Sequence, residues 1–260
     1  KEMKLSKSFI GLVTVSTIFV LYASGLYTKF QSDSALEIVD FSIAKPASEK
    51  NIPSNSDRVP LYGDLHVHTK YSFDAYIFGV TATPYDAYKY AIGEAIKHPL
   101  GFDMKLKEPL DFYAVTDHGF YMGMIENYAD TSSEMSKNEW TKPMHNLNRP
   151  ENVTVESLGA RANLFSSVLT QAIIKPYPYW HPKVWKAWLT NNIQVALQSF
   201  DYDVHKSAWA DVANAAEEFN DPGKFTTFIG YEFTTSTDVE GGNLHRNVIF
   251  NSSEAPIRPW

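Results

Sequence analysis

The chain has 260 residues, of which 44% are hydrophobic and 14% aromatic, so it carries enough apolar side chains to fill the core of one or two domains. Its 30 acidic residues outnumber its 23 basic residues and give a formal net charge of −7. This balance argues against nucleic acid as a partner, because phosphate backbones are bound by basic surfaces. The absence of cysteine excludes disulfide bonds and thiolate metal ligands.

Residues 1–25 have the features of a secretory signal peptide. Three lysines lie within the first seven residues, an apolar stretch runs from Phe9 to Ala23, and the small residues Ser24 and Gly25 follow. An uncleaved membrane anchor is the alternative, because the apolar stretch is nearly long enough to span a bilayer. Either interpretation predicts export to the periplasm or the extracellular space, with membrane contact only through this segment.

Residues 26–60 are predicted to form a linker, because serine and proline interrupt every longer pattern. Within it, Ala35 to Ile43 could add an edge strand. The folded domain is predicted to occupy residues 61–260. Its first helix is predicted from Thr83–Pro84 to about Lys97, because proline is favoured in the first turn of a helix.

A histidine pair marks the first strand of this domain, which is predicted from Leu61 to His68. Side chains two apart on a strand share a face, so Asp64, His66 and His68 are expected to point one way while Leu65 and Val67 pack inside. Two imidazoles at this spacing can bind a single divalent ion. The alternative is a pair of exposed histidines on an edge strand, but the flanking carboxylates favour a metal site.

The turn that follows this strand carries another candidate ligand. Thr69 to Phe73 reverses the chain, so the carboxylate of Asp74 could lie beside a neighbouring ion. A mixture of imidazoles and carboxylates that exceeds the needs of one zinc ion indicates a multinuclear hydrolytic centre.

The next polar cluster follows Phe112 to Val115, a continuous apolar run typical of a buried parallel strand. Asp117 and His118 come at its carboxyl end, where α/β enzymes build their sites. We expect His118 to be a metal ligand and Asp117 to orient an imidazole. A capping aspartate and a structural histidine in a strand-to-helix turn are the alternative.

A third strand is predicted from Phe225 to Thr234 by its β-branched and aromatic residues, with Glu232 closing it. A buried carboxylate is costly unless it is paired or bound to metal. A return strand from Leu244 to Phe250, after a Gly–Gly turn, would bring His245 beside Glu232.

The residues between about 120 and 224 have mostly helical character and are predicted to form a helical insertion. Helices are expected at Ser157–Ile174, Pro182–Ser199 and Val204–Phe219. The tryptophans in this region are expected to pack helix against helix, although a substrate lid is an alternative.

Taken in order, D-L-H-V-H, an aspartate six residues later, T-D-H-G, G-Y-E and L-H-R-N-V resemble the polymerase and histidinol phosphatase (PHP) superfamily. The longer sequences around these motifs are similar to an exported bacterial branch of unknown function. The resemblance extends from about Leu61 to Phe250 and implies an α/β fold, a distorted (β/α)7 barrel that holds two or three divalent ions and hydrolyses phosphoesters. The ligands that it implies are His66, His68, Asp74, His118, Glu232 and His245. The family also has a later histidine and a final Asp-x-His, which do not follow Phe250, so we expect an incomplete barrel whose carboxyl-terminal part is missing.

These residues predict a metal-dependent hydrolase. Nitrogen and oxygen ligands without thiolate suit zinc, manganese or iron and argue against calcium. Two close ions would activate a water for attack on a small anionic phosphorylated substrate. Glu232 would hold the ions at a catalytic separation, and Asp117 is a candidate general acid. Two alternatives are hydrolysis of amide, lactone or carboxylic ester bonds, and a non-catalytic exported metal-binding protein.

Overall fold

The computed structural model describes residues 37–43, 58–172, 200–236 and 243–259. The predicted signal segment, most of the predicted linker and the predicted helix Pro182–Ser199 lie outside these residues. No helix within the described part of the chain is long and apolar enough to cross a membrane.

Strands and helices are mixed along the described chain. In chain order they are β1 (Ile38–Asp40), β2 (Gly63–Val67), α1 (Phe73–Ile77), α2 (Pro84–Ala91), β3 (Ile96–Lys97), β4 (Asp103–Met104), β5 (Phe112–Val115), α3 (Met124–Ala129), α4 (Leu158–Ala172), α5 (Tyr202–Phe219), β6 (Thr226–Thr227), β7 (Gly230–Ser236), β8 (Asn243–Ile249) and β9 (Glu254–Pro256). Four short 3-10 turns lie between α3 and α4.

A three-stranded parallel sheet positions the first two polar motifs. Its order is β2–β5–β6, with β5 in the centre. The buried parallel strand predicted at Phe112–Val115 is therefore confirmed, and its Val115 is fully buried. The other sheets have two strands each, and the described strands do not close into a barrel. The fold is thus mixed α/β, and the barrel stays a prediction.

An antiparallel ribbon of β7 and β8 carries the third motif. The predicted return strand is confirmed, because Glu232 lies opposite Asn247 and Thr234 lies opposite His245 in the ladder. The prediction of one continuous strand from Phe225 to Thr234 is wrong. The chain leaves the parallel sheet after Thr227, and the new strand β7 begins at Gly230 to pair with β8.

The predicted helices are confirmed in part. Thr83 caps α2, with Pro84 in the first turn and a reciprocal capping box to Asp86. The helix ends at Ala91 instead of about Lys97, because Gly93 adopts a positive φ of 85° and residues 96–97 pair as a strand. The predicted helices Ser157–Ile174 and Val204–Phe219 correspond to α4 and α5 within a few residues where the chain is described.

Two apolar cores support these elements. In the first, Tyr88 and Trp209 pack with the parallel sheet, and the Trp209 indole donates a hydrogen bond to the Pro256 carbonyl oxygen at 2.6 Å. That bond joins α5 to β9, which pairs with β1, the edge strand predicted within Ala35–Ile43. The second core places Phe73 of α1 among side chains of α3 and α4, so the start of α1 is rigidly held.

Candidate metal centre

The two histidines of the first motif lie at the end of β2. His66 Nε2 is 3.1 Å and His68 Nε2 is 2.8 Å from the same oxygen, Glu232 Oε2. Asp64 does not join them: its Oδ1 accepts a hydrogen bond from the His66 backbone N–H at 2.9 Å. The predicted packing of Leu65 is also wrong, since this side chain is exposed where the register of β2 against β5 shifts.

Asp74 and His118 extend the cluster from the other side. Asp74 lies in the first turn of α1, and both its oxygens are 3.2 Å from His68 Nδ1. Its Oδ2 is 3.5 Å from Nε2 of His118, which follows β5 and is buried. Ser72 Oγ donates a hydrogen bond to Asp74 Oδ1 at 2.6 Å, so the carboxylate is fixed in this orientation.

Glu232 is the centre of the cluster and is only 1% exposed. In addition to its contacts with the β2 histidines, its Oε2 is 3.4 Å from His118 Nδ1, and its Oε1 pairs with His245 Nδ1. Its backbone is fixed on both sides of His118: Glu232 N–H donates to Asp117 O, and Gly119 N–H donates to Glu232 O, each at 2.9 Å. Glu232 was predicted to close its strand, and this prediction is wrong, because Glu232 is the third residue of β7 and the strand continues to Ser236.

Gly230 permits the close approach of the ribbon strands beside this glutamate. A β-carbon at this position would lie 2.9 Å from the Val248 carbonyl oxygen, which is closer than real β-carbons come. The glycine two residues before Glu232 therefore serves close packing of β7 on β8.

Together these contacts form three overlapping groups, and within each group one ligand atom per residue lies within 4.8 Å of the others. The groups are His66–His68–Glu232, His68–Asp74–His118 and His118–Glu232–His245. They contain all six residues predicted as ligands. Each group could hold a metal ion.

The contact between His68 and Glu232 fits a pair of ligands better than a hydrogen bond. His68 Nε2 is buried and only 2.8 Å from Glu232 Oε2, yet it has no hydrogen-bond partner of acceptable geometry among the described residues. Two ligand atoms directed at one ion approach each other in this way, and nitrogen and oxygen donors without sulfur suit zinc, manganese or iron.

Charge in the cluster favours a cation. Burial alone would raise the pKa of Glu232, but the imidazoles around it, His118 first, outweigh burial and hold that pKa below its usual value. The pKa of Asp74 is held low in the same way, against burial, by hydrogen bonds from His118 and His68. Burial would lower the pKa of His68, yet the Asp74 carboxylate raises it overall. Both carboxylates are therefore ionised in a largely buried site.

Asp117 follows β5 as expected, but its side chain has a different partner. It is fully buried, its Oδ2 accepts a hydrogen bond from Thr69 Oγ1 at 2.6 Å, and its Oδ1 accepts one from the Thr69 backbone N–H. Burial raises the pKa of Asp117 to about 6. The predicted contact with an imidazole is thus wrong, because the carboxylate instead fixes the turn after His68. Its role as a general acid stays a prediction.

Two polar residues of the ribbon were missed by sequence reasoning. Thr234 Oγ1 is 2.7 Å from His118 Nδ1, and the Asn247 side chain donates to the Leu65 carbonyl oxygen at 2.6 Å. The signal in the sequence was that side chains two residues apart on a strand share a face: Thr234 is two residues after Glu232, and Asn247 is two residues after His245.

Two polar residues near the cluster, Arg246 and His205, are not candidate ligands. Arg246 lies opposite Phe233, over whose ring its guanidinium sits at 6.0 Å, so it faces away from the cluster as expected of a strand. His205 of α5 is buried, and its Nε2 donates to the Gly119 carbonyl oxygen at 2.7 Å, which holds the segment that carries His118.

In the comparison with family models, that of the proteins of unknown function called DUF3604 matches residues 55–259. No curated protein and no solved structure matches the chain. The match covers most of the sequence, including every residue of the cluster. The chain therefore belongs to the DUF3604 family.

Proposed function

We propose that this protein is a metal-dependent hydrolase of the phosphoesterase type, with the cluster around Glu232 as its active site. The observation that carries the proposal is the convergence of four imidazoles and two carboxylates on three overlapping groups, two of which share the buried Glu232. A buried glutamate surrounded by four imidazoles and a second carboxylate is explained by the binding of a cation.

The hydrogen bonds suggest how the imidazoles are divided. A ligating imidazole binds with one nitrogen and donates the other N–H to a neighbour. The contact of His118 Nδ1 with Thr234 Oγ1 leaves Nε2 to bind on the side of Asp74. His66, His68 and Glu232 would form a second position. Divalent ions bound here would lower the pKa of a water and neutralise charge that develops on substrate oxygens.

The exposure of the ligands gives the direction of approach. Glu232 is buried, whereas the side chains of His66 and His245 are 56% and 44% exposed. A small substrate would therefore enter on the side of these two histidines. Among the described residues, the ion pairs of Glu232 and Asp74 involve imidazoles alone, so an anionic phosphoryl group would be bound by the cations instead of an arginine or lysine.

The proposal includes the finer expectations drawn from the sequence. These are a PHP-like (β/α)7 barrel, export through residues 1–25 and a small phosphorylated substrate. The parallel β2–β5–β6 sheet, with His118 just beyond the carboxyl end of β5, is compatible with such a barrel.

Hydrolysis of a carboxylic ester, lactone or amide is a second candidate. It is favoured by the position of Arg246, which faces away from the cluster and so offers no phosphate clamp. The same activated water would serve both reactions.

The test is to measure metal content and hydrolysis in the same purified protein. We expect more than one equivalent of zinc, manganese or iron by elemental analysis, and turnover of aryl phosphates after reloading with each metal. Turnover of aryl esters alone would establish the second candidate. Firm metal binding without turnover of either class would indicate a metal-binding protein, and absence of metal binding would refute both enzyme proposals.

A further inference from the structure

Asn247 occupies an unusual position beside the cluster. It lies directly opposite Glu232 in the β7–β8 ladder, so the two side chains project from the same face of the ribbon. Its Nδ2 donates to the carbonyl oxygen of Leu65, the residue before His66. Asn247 therefore links the ribbon to the strand that carries the histidine pair.

The other end of this amide has no explanation within the fold. Asn247 Oδ1 is buried and has no hydrogen-bond partner among the described residues. The bond to Leu65 fixes which branch of the amide is the oxygen, because only the nitrogen can donate to a carbonyl. A buried carbonyl oxygen left without a partner is destabilising, and the Glu232 carboxylate projects from the same face of the ribbon. A cation would satisfy both oxygens.

We infer that Asn247 Oδ1 is a further oxygen ligand of the cation position formed by His66, His68 and Glu232. The inference rests on the proposed metal centre and adds a neutral oxygen donor to its two imidazoles and one carboxylate. Because carbonyl oxygens suit hard ions such as manganese, this ligand would favour Mn²⁺ relative to Zn²⁺ at that position.

The inference is tested by titrating the 260-residue chain with Mn²⁺ and with Zn²⁺, using the wild type, Asn247→Leu, Asn247→Asp and Arg246→Leu. Leucine has a similar size and no donor or acceptor, whereas aspartate keeps an oxygen but loses the N–H that binds the Leu65 carbonyl. Arg246→Leu is the matched control, because Arg246 is the neighbouring residue of β8 and faces the opposite side.

We expect Asn247→Leu to weaken Mn²⁺ binding at least about 10-fold, in the range seen when groups that support a metal site are removed, and to weaken Zn²⁺ binding less. Asn247→Asp should bind Mn²⁺ as tightly as the wild type or more tightly, since its charged oxygen replaces a neutral one. A residue that served only to clamp the strands would give the reverse, with Asn247→Asp no better than Asn247→Leu. Arg246→Leu should match the wild type.

Each other outcome is decisive. Wild-type affinity in Asn247→Leu, or equal losses in the leucine and aspartate variants, would overturn the inference while leaving the proposed metal centre intact. Failure of the wild type to bind either ion would overturn the proposed function as well. If circular dichroism shows that Asn247→Leu is unfolded, Asn247→Ser is used in its place, because the serine side chain is too short to reach the ion. Equal Mn²⁺ affinity of the serine and aspartate variants would then overturn the inference.

Discussion

Replacing Glu232 by glutamine removes one negative charge from the middle of the cluster and keeps the size of the side chain. The fold should survive, because the backbone bonds of Glu232 to Asp117 and Gly119 do not involve the carboxylate. Glu232 belongs to two of the three candidate groups, and the third, His68–Asp74–His118, does not contain it. We therefore expect Glu232→Gln to lose cation binding wherever Glu232 is a ligand and to keep binding on the side of Asp74 and His118.

The size of the effect follows from the role of the carboxylate. Groups that merely support a metal ligand contribute about 10–100-fold to affinity, so loss of a direct ligand should weaken binding by about 100-fold or more, which corresponds to ~2.7 kcal/mol. Isothermal titration with Mn²⁺ should show the number of strong sites falling to one. The turnover number should fall by orders of magnitude, because two ions could no longer act together.

The control is Glu126→Gln, the same substitution at a partly exposed glutamate that pairs with Lys70 Nζ at 2.8 Å and contacts no residue of the cluster among the described contacts. It should bind metal as the wild type does. Unchanged stoichiometry in Glu232→Gln, or turnover within about tenfold of the wild type, a loss of only ~1.4 kcal/mol in the barrier, would show that Glu232 is structural and would refute the reasoning.

Three further predictions test the surroundings of Glu232. The double variant His66→Ala/His68→Ala should lose most of the metal measured by elemental analysis, and retention of it would remove the basis of the site. Thr234→Val should weaken metal binding about 10-fold, whereas Thr234→Ser should bind as the wild type does, because serine keeps the hydroxyl that accepts the His118 Nδ1–H and valine does not. Equal metal affinity of the two variants would exclude this role of Thr234. Burial lowers the pKa of His205 to about 4. Between about pH 6.5 and pH 4 the His205 imidazole is therefore protonated in the unfolded chain and neutral in the folded chain. The free energy of unfolding should fall by up to ~3 kcal/mol as the pH drops over this range. Thermal unfolding of His205→Gln should show a flatter pH dependence over this range, and an unchanged slope would contradict the assignment.

The sequence predicted those elements whose pattern is local. The buried strand at Phe112–Val115 and the start of the helix at Thr83–Pro84 have strong signals within a few residues, and both are confirmed. The break between Thr227 and Gly230 was missed, because Phe228 and Ile229 within it are typical strand residues. It arises from a competition between two partners, β5 on one side of the break and β8 on the other.

The six candidate ligands could be found from the sequence because imidazoles and carboxylates are uncommon on apolar strands and in the segments that directly follow them. Thr234 and Asn247 carry no such signal, since a threonine or asparagine on a strand is most often only a surface residue. The side-chain contact of Asp117 was predicted incorrectly for a different reason. Its partner Thr69 lies 48 residues earlier in the chain, and only the parallel pairing of β2 with β5 brings the two together.

The way in which the cluster is held bears on how it would bind metal. The parallel sheet and the ribbon meet through an isolated bridge between His118 and Glu232, whose backbone bonds are independent of any side chain. Glu232, which contacts all four imidazoles, is thus positioned by main-chain hydrogen bonds and not by its contacts with the imidazoles. The four imidazoles lie against the two carboxylates. Cations would therefore bind at a site whose backbone is held by main-chain hydrogen bonds, and binding would require little rearrangement of that backbone.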